Sequence, residues 1–190
     1  MNRIVRVMTE GELTEPSYLS MDSMLAAMRR AGVGLKLLTH HKGQTDPASL
    51  VRAMRTAMRR EMVQKGDEAW LVMDVDEWTE AQFDAALSWS KTAKAHHLAV
   101  GNPKFELFLL MHFGEAKGCA SAKEVDARLK ACWKEYRKRI PAGAFTIEQV
   151  AVAVERAAQA DSRPDSVMPA PGETKFYKLL ESLLDIKPSR

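Results

Sequence analysis

A chain of 190 residues, 46% hydrophobic and 28% charged, is long enough for one well-buried domain and far from the composition of a disordered segment. A formal net charge of +3 is compatible with nucleic-acid binding but too small to argue for it, and two cysteines without CxxC spacing exclude a disulfide framework or a cysteine zinc site. No apolar run approaches the ~18–20 residues of a membrane span, and the charged turn at Glu10 leaves no room for a signal-peptide core, so a cytoplasmic protein is expected.

Ile4 to Met8 is a β-branched run halted by Thr9-Glu10-Gly11, a strand followed by a turn. Pro16 fits the first turn of a helix to about Ala31, with Tyr18, Leu19, Met21, Met24, Leu25 and Met28 as its apolar stripe. Gly32 and Gly34 release a second strand, Leu35 to Thr39, and Asp46-Pro47 has the form of an N-cap and N1 proline for a helix to about Lys65. Ala69 to Met73 is wholly apolar, as expected of a strand buried on both faces, and ends in Asp74-Val75-Asp76-Glu77. Thr79 caps a helix to about Ala95, His97 to Val100 is a fourth strand, and Asn102-Pro103 opens a helix through Phe113. Beyond Gly114 the pattern is helical: 122–138, 146–160 and, after a proline-rich loop, 173–184.

This alternation predicts an α/β fold with a mostly parallel central sheet, helices on both faces and a helical C-terminal extension. The division expected is a metal-binding core over 1–115 and an extension over 116–190 packed on it. Glu10, Asp74, Asp76 and Asn102 all fall where strands end, which is where open α/β sheets place ligands.

Asp74 and Asp76 straddle one residue, so in extended backbone both carboxylates point to one side. Two like charges that close call for a cation, and a small set of hard oxygen ligands suits Mg²⁺ or Mn²⁺ with room left for phosphate oxygens. Glu10 would join them from a neighbouring strand, and Gly11 would permit close approach of a ligand. Taken singly, a strand-terminal DxD is more often a solvated loop than a site, and an isolated Glu-Gly more often still. Trp78 stands where a haloacid-dehalogenase-type phosphatase carries Thr or Val; nucleotide-sugar transfer stays open on these residues. There is no GxxxxGK[ST], GxSxG, HExxH or GxGxxG.

Three segments resemble the RloB-like proteins: Thr9-Glu10-Gly11-Glu12-Leu13-Thr14-Glu15-Pro16-Ser17-Tyr18 is similar to their EGxxTEpxYf opening, Asp74-Val75-Asp76-Glu77-Trp78 to DxDew, and Asn102 to Phe113 to NPcFElWlllHF. Tyr136 and Lys138 are similar to a late Tyr-x-Lys pair. The resemblance implies a Toprim-like fold, in which Glu10, Asp74 and Asp76 hold Mg²⁺ for nuclease chemistry on RNA (such as tRNA) or DNA. It also implies a toxin-like effector of anti-phage defence with a partner AAA/ABC-type ATPase. The alternative is a non-catalytic Toprim-like subunit that binds nucleic acid or the ATPase. Lys104 departs from the small residue usual after Asn-Pro, and Phe108 replaces Trp.

Glu106 lies in an apolar run, where an acid must be paired or functional, and is expected to act as a fourth catalytic acid. Gly11, Thr14, Asn102, Lys104 and His112 are the candidate substrate contacts, Asn102 and Lys104 at a helix N-terminus suited to phosphate. Asn102 could equally be a plain cap and His112 a satisfied core histidine. Arg52, Arg55 and Arg59 share one helix face as a candidate nucleic-acid surface, and 128–139 form a second basic stretch with Trp133 and Tyr136 interleaved. The Met-rich first helix could serve a homo-oligomer, although core packing explains it as well.

Overall fold

The computed structural model describes residues 3–41, 43–75 and 78–186. Five strands make one sheet: β1 (Arg3–Thr9), β2 (Val33–Leu38), β3 (Glu68–Asp74), β4 (His96–Asn102) and β5 (Glu173–Thr174). Their order is β2-β1-β3-β4-β5; the first four run parallel and β5 is antiparallel to β4. Eight helices are described: α1 (Thr14–Leu19), α2 (Asp22–Arg30), α3 (Pro47–Arg59), α4 (Glu80–Ser90), α5 (Glu106–Leu110), α6 (Ala122–Cys132), α7 (Ile147–Ala160) and α8 (Phe176–Leu184). None is long and apolar enough to cross a membrane.

The two-residue period of the strands divides the core. Val5, Val7, Trp70, Val72 and Ala99 point into a cluster with α1, α2 and α5 to α8, while Met8, Leu71, Met73, Leu98 and Val100 point into a second cluster with α3 and α4. Both faces are therefore covered, which is why the strands read as unbroken apolar runs. This is the expected α/β class, with a mostly parallel sheet, and it is consistent with a Toprim-like fold.

Several boundaries move, each for a local reason. The helix expected from Pro16 to Ala31 is two helices. Met21 turns extended (φ −59°, ψ 147°), and the Asp22 amide is taken by the Ala142 carbonyl at 3.0 Å. α3 stops at Arg59 rather than Lys65, and Glu61 and Asp67 beyond it hold the buried Arg6 guanidinium at 2.7 and 2.9 Å. α4 stops at Ser90 rather than Ala95.

The helix expected from Asn102 begins only at Glu106. Asn102 is the last residue of β4, and the Val75 amide donates to both Gly101 and Pro103 carbonyls, which keeps the β4–α5 turn against the end of β3. Asn102 and Pro103 do not cap that helix. α6 ends at Cys132, so the basic stretch after it is a connector and not a helix. The first two residues of the expected helix 173–184 pair instead as β5, because the Lys175 amide donates to Val100 and the Gly172 amide to Asn102.

One polar knot fixes that C-terminal stretch. The Lys175 ammonium, 1% exposed, lies 2.6 Å from both carboxylate oxygens of Asp161, 0% exposed, and also donates to the Arg163 carbonyl. The Tyr177 hydroxyl donates to Asp161 at 2.8 Å. Burial works against the Asp161 charge, but these partners together hold its carboxyl below the usual carboxylate range. Cys119 is buried and Cys132 exposed, both as free thiols.

Candidate active site

Parallel neighbours β1 and β3 end side by side, with Thr9 in register with Val72. The chain leaving β1 therefore carries Glu10 to the first turn after β3. Its Oε2 accepts the Asp74 amide at 3.0 Å and its Oε1 accepts the Trp78 indole N–H at 3.0 Å. The Glu10 amide donates in turn to the Val72 carbonyl. Glu10 is thus a bolt across two strand ends. β4 closes in from the other side: a Cβ on Gly101 would sit 2.9 Å from the Lys104 carbonyl carbon and 3.2 Å from Asp74 Oδ1. Only glycine lets the β4–α5 turn come this near Asp74.

Glu10, Gly11, Thr14, Asp74, Lys104 and Glu106 line one cleft of about 350 Å³, together with Glu12, Leu13, Glu15, Thr45 and Lys138. Six of the expected site residues therefore meet. Asp76 lies outside the described residues. A larger cavity, about 570 Å³, opens around Met111, Cys119, Arg156 and Gly172, and none of the expected site residues lines it.

The other expected residues lie elsewhere. Asn102 donates its amide to the Pro169 carbonyl. Arg52, Arg55 and Arg59 are exposed along α3, with Arg52 bonded to the Ser49 hydroxyl, and do not line the cleft. His112 packs against the core and is half-buried. Its ring stacks on Phe145 with centroids 3.9 Å apart, Nδ1 lies 3.3 Å from the Leu109 carbonyl, and Nε2 lies 3.0 Å from the Tyr18 hydroxyl. A carbonyl only accepts, so the partners assign an Nδ1–H tautomer with Nε2 accepting from Tyr18. Burial lowers the His112 pKa to about 4, and burial raises that of Tyr18, which keeps its proton.

Sequence reasoning passed over Glu15. It is 4% exposed, and its Oε1 accepts the Gly11 amide at 3.3 Å. A Cβ at Gly11 would overlap the Glu15 carboxylate, so this glycine makes room for an acid of the same chain. Burial, and then the charges of Glu106 and Glu10, push the Glu15 carboxyl up to about 7 against the pull of backbone N–H groups. The signal was its place in the Thr14-Glu15-Pro16 motif, where it reads as an ordinary first-turn helix acid. Glu106, also 4% exposed, accepts from the Tyr136 hydroxyl at 2.9 Å, with Lys104 and Lys138 at 3.9 and 3.7 Å.

A family model described as RloB-like protein matches residues 5–183. The chain belongs to the RloB-like protein family. The match runs through the cleft and the C-terminal half alike, so β5 and α8 of this RloB-like protein are part of the family's common chain. No curated protein and no solved structure matches it.

Glu15 and His112 give this RloB-like protein two opposed pH dependences. Glu15 is protonated in the fold up to about pH 7 but ionises near 4.5 when unfolded, so stability falls as pH rises through that interval. His112 stays neutral in the fold down to about pH 4 but takes a proton near 6.5 when unfolded, so stability falls as pH drops through that interval. Each is worth roughly 3 kcal/mol over its full interval, at 1.36 kcal/mol per pKa unit. They offset where the intervals overlap. Denaturant midpoints in EDTA should rise with pH for Glu15→Gln and fall with pH for His112→Asn between these limits; parallel curves for both variants would refute the assignment.

Proposed function

We propose that this RloB-like protein is a Mg²⁺-dependent nuclease whose metal is held by Glu10 and Asp74, with Asp76 as the third acid. The carrying observation is the Glu10 carboxylate seated on the Asp74 amide at the adjoining ends of two parallel strands, both residues lining one cleft. Among the described residues no three His, Cys, Asp or Glu side chains are gathered as a cage for an ion. Mg²⁺ does not need one: it keeps several waters and is commonly bound by one or two carboxylates plus substrate phosphates. The donor set is all oxygen, which fits that cation in kind.

When bound, the ion would polarise the phosphoryl oxygen and supply a water acidic enough to attack near neutral pH. The chain's residues do the rest. Glu10, fixed by two N–H donors, keeps Asp74 turned towards the cleft, and Gly101 lets the Lys104 turn close in beside it. Lys104 brings positive charge to a phosphate that would otherwise meet five carboxylate residues along the cleft wall. Glu106 is left out of the metal set, since Tyr136 and two lysines already surround its oxygens. An effector role in anti-phage defence with a partner ATPase belongs to the same proposal and rests on the family resemblance alone.

The test is purified protein with Mg²⁺ or Mn²⁺ on tRNA, single-stranded RNA and plasmid DNA, with and without the partner ATPase. Metal-dependent strand cleavage, abolished by EDTA and by Asp74→Ala, is expected. If wild type and Asp74→Ala match on every substrate, with the partner as well as without it, the protein is the non-catalytic subunit instead.

A further inference from the structure

One cluster of the cleft stands outside the metal set and includes Lys104. Lys104 from the β4–α5 turn and Lys138 from the α6–α7 connector come from segments far apart in sequence, yet both stand within 4.0 Å of the Glu106 carboxylate, at 3.9 and 3.7 Å. Glu106 is nearly buried and receives the Tyr136 hydroxyl at 2.9 Å; Thr14 is the other hydrogen-bonding neighbour of that phenol. Burial and the Glu106 charge raise the Tyr136 pKa far above neutrality, so it remains a donor. Asp126 of α6 holds Lys104 from behind at 3.0 Å. Lys138 is 71% exposed, so its ammonium can still meet a ligand from solution.

The connector continues this charge outward. Lys134, Arg137 and Arg139 are exposed on it. Arg139 lines a neighbouring groove that shares Glu12 and Leu13 with the cleft, and Leu13 is 47% exposed between the two. Two cations in the cleft and a third, Arg139, in the adjoining groove, with the exposed Leu13 between them, offer successive contacts to the phosphates of one strand. The cleft, at about 350 Å³, is of small-molecule size, enough for a nucleotide unit of an unpaired strand and too small for a duplex.

We propose that Lys104 and Lys138, drawn together by Glu106 and steadied by Tyr136, form a phosphate clamp that admits one unpaired nucleic-acid strand and leads its backbone on to Arg139. This rests on the phosphodiester reading of the same cleft. Glu106 is then a positioning residue, and its acid serves to gather cations.

The experiment is binding of a fluorescein-labelled single-stranded oligonucleotide, and of its duplex, by anisotropy across a salt series with Ca²⁺ in place of Mg²⁺. Single strands should bind more tightly than duplex. Each phosphate contact on a single strand contributes a salt slope of about −0.7, which is about fivefold in affinity between 1 M and 0.1 M salt. Lys138→Ala should therefore lose about fivefold at 0.1 M and flatten the slope by about 0.7, while Lys138→Arg keeps both. Because Lys138 is exposed, neither substitution threatens the fold. Unchanged affinity and slope in Lys138→Ala, tighter duplex binding, or no binding at all overturns the clamp. Clamp behaviour without any cleavage in Mg²⁺ overturns the nuclease reading alone; cleavage with a KM indifferent to Lys138 overturns the clamp alone.

Discussion

Asp161→Ala is expected to cost about 3–5 kcal/mol of stability, because it strands the Lys175 ammonium in the core with the Arg163 carbonyl as its only remaining acceptor among the three bonds described. For a chain of this length that lowers the melting midpoint by on the order of 10 °C. The lost charge pair is only part of it. The Tyr177 hydroxyl also loses its 2.8 Å bond to Asp161, a buried hydrogen bond with its own contribution. Replacing the whole knot by apolar residues (Asp161→Leu with Lys175→Met and Tyr177→Phe) should recover most of the loss, since the charges stabilise only relative to a broken pair. Thermal or denaturant melts decide it; an Asp161→Ala midpoint within about 1 kcal/mol of wild type would mean that solvent reaches Lys175.

Glu10→Gln is the second large effect, this time on activity. Gln has one acceptor oxygen, whereas two N–H donors, from Asp74 and Trp78, converge on the two oxygens of Glu10. One of them must then face an NH₂ group. The expected stability loss is about 1–3 kcal/mol. The proposed metal also loses a charged ligand, and the turnover loss should exceed the ~100-fold that outer partners of a metal site typically cost. A Mg²⁺ titration separates the two effects: a ligand role demands a higher metal requirement in Glu10→Gln at a temperature where the variant is fully folded. An unchanged requirement with a modest rate loss would reduce Glu10 to a structural bolt.

The parts of this fold that local chemistry decides were legible. Apolar runs such as Ala69 to Met73 announced strands buried on both faces, and Asp46-Pro47 announced the start of α3, where Asp46 does accept the Ser49 amide. Glu10 and Asp74 were legible because each follows such a run. Contacts between distant segments were not. The break at Met21 depends on a carbonyl at Ala142, and the burial of Lys175 depends on Asp161. Glu106 meets Tyr136 across 30 residues, and no period or spacing rule reaches that far. Glu15 was hidden for a different reason: the turn is shaped around its buried carboxylate, which takes the Gly11 amide and fills the space a Cβ there would need.

β5 contributes only two residues, yet it covers the β4 edge at Gly101 and Asn102, beside the turn that carries Lys104. During synthesis the ribosome makes β4 about 70 residues before β5, a lag of several seconds at the usual elongation rate. Until the late segment docks, the β4 edge lacks its last partner, and Gly101 and Asn102 stand at an open sheet edge.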